Sequence, residues 1–411
     1  MVVELNGRVP RLPLAFFGLG VLSLLTLAVV FLVGLPSIAG AWFRNPWALV
    51  STHLFTLGFA TPVIFGAFYQ LIPVMSEAKL WSERLGWGHL VFHVLGFLCL
   101  LHGFAHVQPA LLIAGGSMLL TGGVLFVIGM VATIRVAPRW HPALTFICVA
   151  LFNLLVVFSL GLTLALNWSL GFLGAATRAH LIQHAIWGFG GWLTLTILGV
   201  ALKLVPLFTL THKEPGTLGV PVLVLFNVGI YVGLWWRVPG LLLMTLAILV
   251  YLGDMAMALR SRIRRVWDIS LRYAGHGLLW LGIGGVLSLV GALYGLTAGQ
   301  AVGTIYALAI GWVGLLIVGH LFKILPFLVW TARYAPLAGR EKVPLLTDLY
   351  NSHVANCIRY LLSLGCLGVV VGLWTNRLPI ATVGAGLVAI AAVLICWSFY
   401  RIVRRDAHGH R

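Results

Sequence analysis

A chain of 411 residues in which 61% are hydrophobic and only 9% charged cannot clothe a water-facing surface, which excludes a soluble protein. Its 26 basic and 9 acidic residues leave a net charge of +17, but the basic residues sit in loops between long apolar runs. That placement speaks for membrane topology and contact with anionic lipid, and against nucleic acid as a partner.

A hydrocarbon core of about 30 Å takes roughly 20 apolar residues per helix. On that basis the chain predicts twelve membrane helices, near 13–35, 46–75, 85–107, 110–134, 141–165, 179–208, 218–236, 239–259, 272–296, 301–330, 354–374 and 379–400. The first lacks a small-residue cleavage site and reads as a retained anchor. Span 2 carries "HLFTLGFATPVIFGAFYQLIPV", with His53 in its outer third. Span 3 has His89 and His93 toward its inner end, then His102 and His106 at its outer end. Span 6 bears His180 and His184, four residues apart and so on one helix face. Span 8 contains Asp254, the one acidic residue within a span, near its inner end. The stretch from Trp330 to Tyr350 reads as a lipid-facing connector. The five cysteines show no CxxC and read as small apolar packing residues.

With this segmentation, nineteen loop and tail Lys/Arg fall on the side of the termini and four on the other. Both termini are therefore expected in the cytoplasm, with the chain a multi-pass protein of the cell's inner (plasma) membrane.

Spans 2, 6 and 10 repeat one phrase: "IFGAFYQLIPVM", "ILGVALKLVPLF" and "IVGHLFKILPFL". Each has a glycine (Gly66, Gly199, Gly319), a long polar residue (Gln70, Lys203, Lys323) and a proline (Pro73, Pro206, Pro326) in the same register. Upstream the register continues as Gly58-Phe59, Gly191-Trp192 and Gly311-Trp312. The expected fold is thus all-α: a polytopic membrane protein of about twelve helices in three pseudo-repeats of four. One membrane domain, 1–411, would hold repeats of about 1–139, 140–265 and 266–405. Architecture explains the phrase: glycine for close helix approach, proline to end a span at the cytoplasmic edge, lysine to snorkel there.

It does not explain the histidines, of which there are 14. His53, His102, His106, His180 and His184 share an outer stratum. His89, His93, His141, His212, His276, His320 and His353 form a less coherent inner set, mostly near the cytoplasmic interface, while His408 and His410 belong to the tail. Polar groups at depth in a membrane usually mark a site, and neutral imidazole is the commonest metal ligand. Without carboxylates the outer set suits haem iron or copper rather than magnesium or calcium, and a pump built on buried carboxylates is disfavoured.

Twelve helices in three four-helix units, with a histidine in the outer third of span 2, resemble the haem–copper oxidase (cytochrome c oxidase) subunit I superfamily. "HLFTLGF" and "HAIWGFGGW" are also similar to the NnrS haem- and copper-containing membrane proteins. The first resemblance implies that His53 is an axial haem ligand. Spans 7 and 10 lack the histidines with which that family completes its oxygen-reducing binuclear centre. Rotating the family's haem-binding helix pair by one repeat then implies that His53 and His184 (or His180) ligate one haem b. A second site from His102, His106 and His180 would hold copper or another haem.

The expected function is that of a haem-binding membrane protein doing electron transfer or small-gas (NO or O2) chemistry, an oxidoreductase if it is catalytic. A redox partner protein or respiratory-complex subunit would accompany it. The alternatives are copper or haem transport, for which His89 and His93 could extend a ladder, and a non-catalytic assembly subunit of a respiratory complex.

Overall fold

The computed structural model describes residues 9–40, 45–211 and 215–405. His212, His408 and His410, with Arg8, Arg44, Lys213 and Arg411, lie outside the described residues. The helices are α1 (Arg11–Gly40), α2 (Pro46–Met75), α3 (Glu83–Ala105), α4 (Pro109–Ile134), α5 (Pro142–Leu170) and α6 (Gly174–Thr209). They continue as α7 (Gly219–Trp235), α8 (Arg237–Arg260), α9 (Ile269–Tyr294), α10 (Ala298–Arg333), α11 (Ser352–Trp374) and α12 (Leu378–Arg404). There is no strand among the described residues, only two isolated bridges. The protein is an all-α, multi-pass membrane protein: among the described residues 11 helices are long and apolar enough to cross a bilayer, and α7 is a shorter apolar helix of 17 residues.

Local chemistry sets the helix starts. Asn45 accepts from the Trp47 and Ala48 amides, with Pro46 at the first helical position. Asn351 likewise accepts from the His353 and Val354 amides, and Thr297 and Gln300 form a capping box. Each satisfies backbone donors that a helix start leaves open. The chain folds into two compact units, one of Met1–Ala67 with Trp267–Arg411, the other of Phe68–Val266. The division runs through α2 and does not follow the repeat boundaries.

Within the units, the first helix of each repeat packs on the second in one way. A side chain at Gly66 would meet the Phe17 ring at 2.8 Å, one at Gly199 would meet Phe146 Cβ at 2.7 Å, and one at Gly319 would run into Tyr273 Cβ. The three aromatic residues are almost fully buried. The repeated glycine therefore lets an aromatic residue of the preceding helix come close, and burial of that residue holds the pair together.

One expectation about the phrase changes. Pro73, Pro206 and Pro326 lie inside their helices rather than ending them. Near a membrane helix's end, neighbouring groups satisfy the carbonyl that proline frees, so the helix runs on. Lys323 carries its Nζ to the start of α9, where it lies 2.7 Å from Asp268 Oδ2 in an ion pair.

Asp254, the carboxylate inside α8, is 4% exposed and serves the fold. It accepts from the Gly216 amide at 2.7 Å and the Thr217 hydroxyl at 3.1 Å, latching the α6–α7 connection. In the other unit α9 and α11 are joined by three hydrogen bonds. Tyr273 Oη donates to Ala355 O at 2.6 Å, Arg359 Nη1 to His276 Nε2 at 2.9 Å, and Trp280 Nε1 to Ser363 Oγ at 3.1 Å.

Candidate functional site

Each of the three repeated helices is interrupted by a wide π-helical segment: Leu54–Ala60 in α2, Trp187–Thr194 in α6 and Ala307–Gly314 in α10. π-helical turns are rare and concentrate at functional sites, because the extra residue per turn re-aims side chains and frees carbonyls. In α6 the freed groups have partners. Asn153 of α5, 1% exposed, donates from Nδ2 to Gly191 O at 3.0 Å, and the Thr194 hydroxyl donates to Phe189 O at 2.7 Å. A side chain at Gly191 would overlap Asn153 at 2.9 Å, so the glycine is what lets that hydrogen bond form. Gly311 plays the same part in α10, where a side chain would meet the Trp280 ring at 2.6 Å.

His53 directly precedes the first π segment, and His184 stands just before the second. His53 Nδ1 lies 2.8 Å from Leu49 O, and His184 Nδ1 lies 3.0 Å from Val157 O of α5. A carbonyl only accepts, so in both rings Nδ1 carries the proton and Nε2 carries the lone pair. This second-shell bond is the usual way a ligating imidazole is oriented and its tautomer fixed. Gly161 leaves room beside His184: a side chain there would approach Cε1 at 3.1 Å. His180 Nδ1 is held in the same way, 3.1 Å from Ala176 O. All three imidazoles are half-buried.

His102 and His106 come together at the end of α3, exposed, with ring centroids 4.3 Å apart. Among the described residues no three His, Cys, Asp or Glu side chains are grouped closely enough to share a metal ion, so His180 does not complete a triad with them. His53 belongs to the first unit, and His102, His106, His180 and His184 to the second.

Among the described residues, the most buried histidines belong to the inner set. His89 is 0% and His93 1% exposed. His89 Nδ1 is hydrogen-bonded to Tyr69 Oη at 3.0 Å, and the His89 and His93 rings are 5.9 Å apart. Phe126 lies 5.0 Å from His89, and Phe97 stacks on His93 at 6.4 Å. These three polar side chains sit in an apolar, aromatic setting, where a hydroxyl and two imidazoles can hold or pass a proton. The signal was present in the sequence: Gly86, His89, His93, Gly96, Leu100 and Gly103 form one buried stripe of α3 at helical spacing. Ranking histidines by depth alone concealed it.

In chemical terms, the arrangement offers oriented neutral imidazoles, glycine-made space and no carboxylate at hand. That donor set fits a haem iron, whose porphyrin brings its own anionic nitrogens, better than a hard cation. No protein-family model matches the chain, and no curated protein matches it.

Proposed function

We propose that this is a haem-binding integral membrane protein in which His53 of the first unit and His184 of the second are each a candidate haem-ligating imidazole through Nε2. The observation that carries the reading is the pair of imidazoles pinned through Nδ1, each at the head of a π segment in a repeat-equivalent helix. The bound group would supply one-electron chemistry, or a binding position for a small gas such as NO or O2. The chain's share is to orient the imidazoles through Leu49 and Val157 and to keep water from them with the apolar residues around the π segments. The likeness to subunit I of the haem–copper oxidases belongs to this reading, as do a redox partner protein, an inner-membrane location and cytoplasmic termini.

The test is a dithionite-reduced minus oxidised spectrum of the purified protein, with iron and copper measured on the same sample. A sharp α band with one or two irons per chain is expected, lost in His53→Ala and in His184→Thr while the protein remains folded. Loss of the band in a variant assigns the substituted imidazole as a haem ligand within its own unit. An unchanged spectrum in both variants, or no band in the parent, would sink the proposal.

A second reading rests on the exposed His102–His106 pair. Copper bound to that pair, with no haem, would make this a metal-handling membrane protein. Loss of copper in His102→Ala is its mark.

A further inference from the structure

The hydrogen bonds between α9 and α11 form a ladder whose rungs recur one helical turn apart, at 273, 276 and 280 on one helix and 355, 359 and 363 on the other. The first and third rungs are neutral. The middle one is not. Arg359 is only 8% exposed, and a guanidinium stays charged in any protein setting.

The partners of Arg359 are all neutral. Nη1 donates to His276 Nε2 at 2.9 Å, Nη2 donates to Asn356 Oδ1 at 3.1 Å, and the guanidinium carbon lies 4.4 Å from the centre of the Tyr360 ring. Arginine can only donate. His276 Nε2 must therefore accept, so that imidazole is neutral with its proton on Nδ1. His276 Nδ1 and Arg359 Nε are both buried, and neither has a hydrogen-bond partner. No carboxylate among the described residues pairs with Arg359; Asp268, at the start of α9, is committed to Lys323. The rung thus has a surplus of N–H donors, a full positive charge and no anion. A glutamine would tie the two helices equally well, so packing does not account for the charge. Burying a charge without its counter-charge costs several kcal/mol by general experience.

The position indicates what supplies the anion. Arg359 and His276 both lie two turns from the start of their helices, at the end of the unit that also carries Arg333, Arg340, Lys342, Arg401 and Arg404. The bond from Arg359 to Asn356, three residues earlier, turns the guanidinium toward that end. Nearer the end, Arg272 (one turn before His276) and His353 (six residues before Arg359) are exposed on the same two helices. On the flank, Cys357 and Tyr360 are exposed on the apolar surface of α11, the side open to lipid.

We propose that Arg359, with His276 as its positioning partner, forms a binding site for an anionic phosphoryl group, either the headgroup phosphate of an anionic lipid or a free phosphate ion. Arginine suits this ligand because its planar fork meets phosphate oxygens in charge-assisted pairs. The site is independent of haem and would be occupied whether or not a haem is bound.

The full-length protein in nanodiscs of phosphatidylcholine, with or without phosphatidylglycerol, tests this by native mass spectrometry and thermal unfolding. If the ligand is a lipid, one phosphatidylglycerol is retained per chain and stabilises it, while inorganic phosphate in phosphatidylcholine discs has no effect. If it is a free anion, inorganic phosphate raises the Tm in phosphatidylcholine discs instead. In either case Arg359→Gln, which keeps a donor for His276 but removes the charge, weakens the response roughly tenfold, the loss of one charge-assisted contact. Arg359→Lys, which keeps the charge but not the fork, responds between the parent and Arg359→Gln. Equal responses in the parent and in Arg359→Gln overturn the proposal. Should Arg359→Gln not fold, the parent still decides: no selectivity for phosphatidylglycerol and no phosphate effect also overturn it.

Discussion

α6 and α10 share one frame and differ in where their histidines stand. Both carry a π segment, a glycine that lets an aromatic residue of the preceding helix come close, a lysine and a late proline in matching register. Where α6 has His184, α10 has Thr304, whose hydroxyl merely donates to Gln300 O at 2.8 Å in its own helix. At the register of His180, α10 has Gln300, spent on a capping box. The π segment therefore forms without any imidazole, so it belongs to the way these helices pack. The histidine is what one repeat adds to a shared frame, and that is where function separates from architecture.

Swapping that residue is the sharpest way to break the comparison. His184→Thr installs the α10 residue in α6, and loss of haem from a folded protein is the largest effect expected. A protein that unfolds instead would show that the imidazole is part of the frame.

The repeated glycines come next. Gly66→Ala, Gly199→Ala and Gly319→Ala each press a methyl group against a buried aromatic residue, which costs about 1–3 kcal/mol when a core cannot yield. Thermal unfolding in detergent should rank Gly319→Ala worst, because its contact with Tyr273 Cβ is the closest of the three. Equal tolerance at all three would mean that the helix pairs move apart to accept the methyl.

A smaller change is expected for Tyr69→Phe, which removes the hydroxyl from His89 while leaving the ring. The loss of one hydrogen bond in a membrane interior is worth about 0.5–1.5 kcal/mol. No change in haem spectrum should accompany it if the Tyr69–His89–His93 group is separate from the haem ligands.

The smallest effect concerns Asp268, outside the spans. Burial raises its pKa, but the hydrogen bonds and charge of Lys323, with the Ser270 hydroxyl and Leu271 amide, outweigh burial and hold it below the ordinary carboxylate value. A depressed pKa means stabilisation that is complete above the unfolded-chain value of about 3.9 and is lost as pH falls through the folded value. Asp268→Asn should cost about 0.5–1 kcal/mol near neutrality, the range of a partly screened pair. Its deficit in Tm should close only below about pH 4; a deficit that ignores pH would point to the cap rather than the charge.

The twelve helices were legible because a bilayer imposes a length and an apolar composition that local sequence cannot hide, and the repeat was legible because its glycine, lysine and proline recur in one register. The candidate ligands His53 and His184 were visible as isolated polar residues in apolar runs. Class, helices and the repeated phrase thus follow from local composition and register alone. Only the tertiary structure decided that the phrase's glycine admits an aromatic residue, that Lys323 meets Asp268 fifty-five residues away, and that Pro326 stays inside its helix. It also decided that His89 and His93, set aside by depth, are the most buried of the histidines whose burial it fixes. The physical reason is common to all of these. Periodicity and composition act within one helix, whereas burial, hydrogen-bond partners and counter-charges are supplied by residues on other helices.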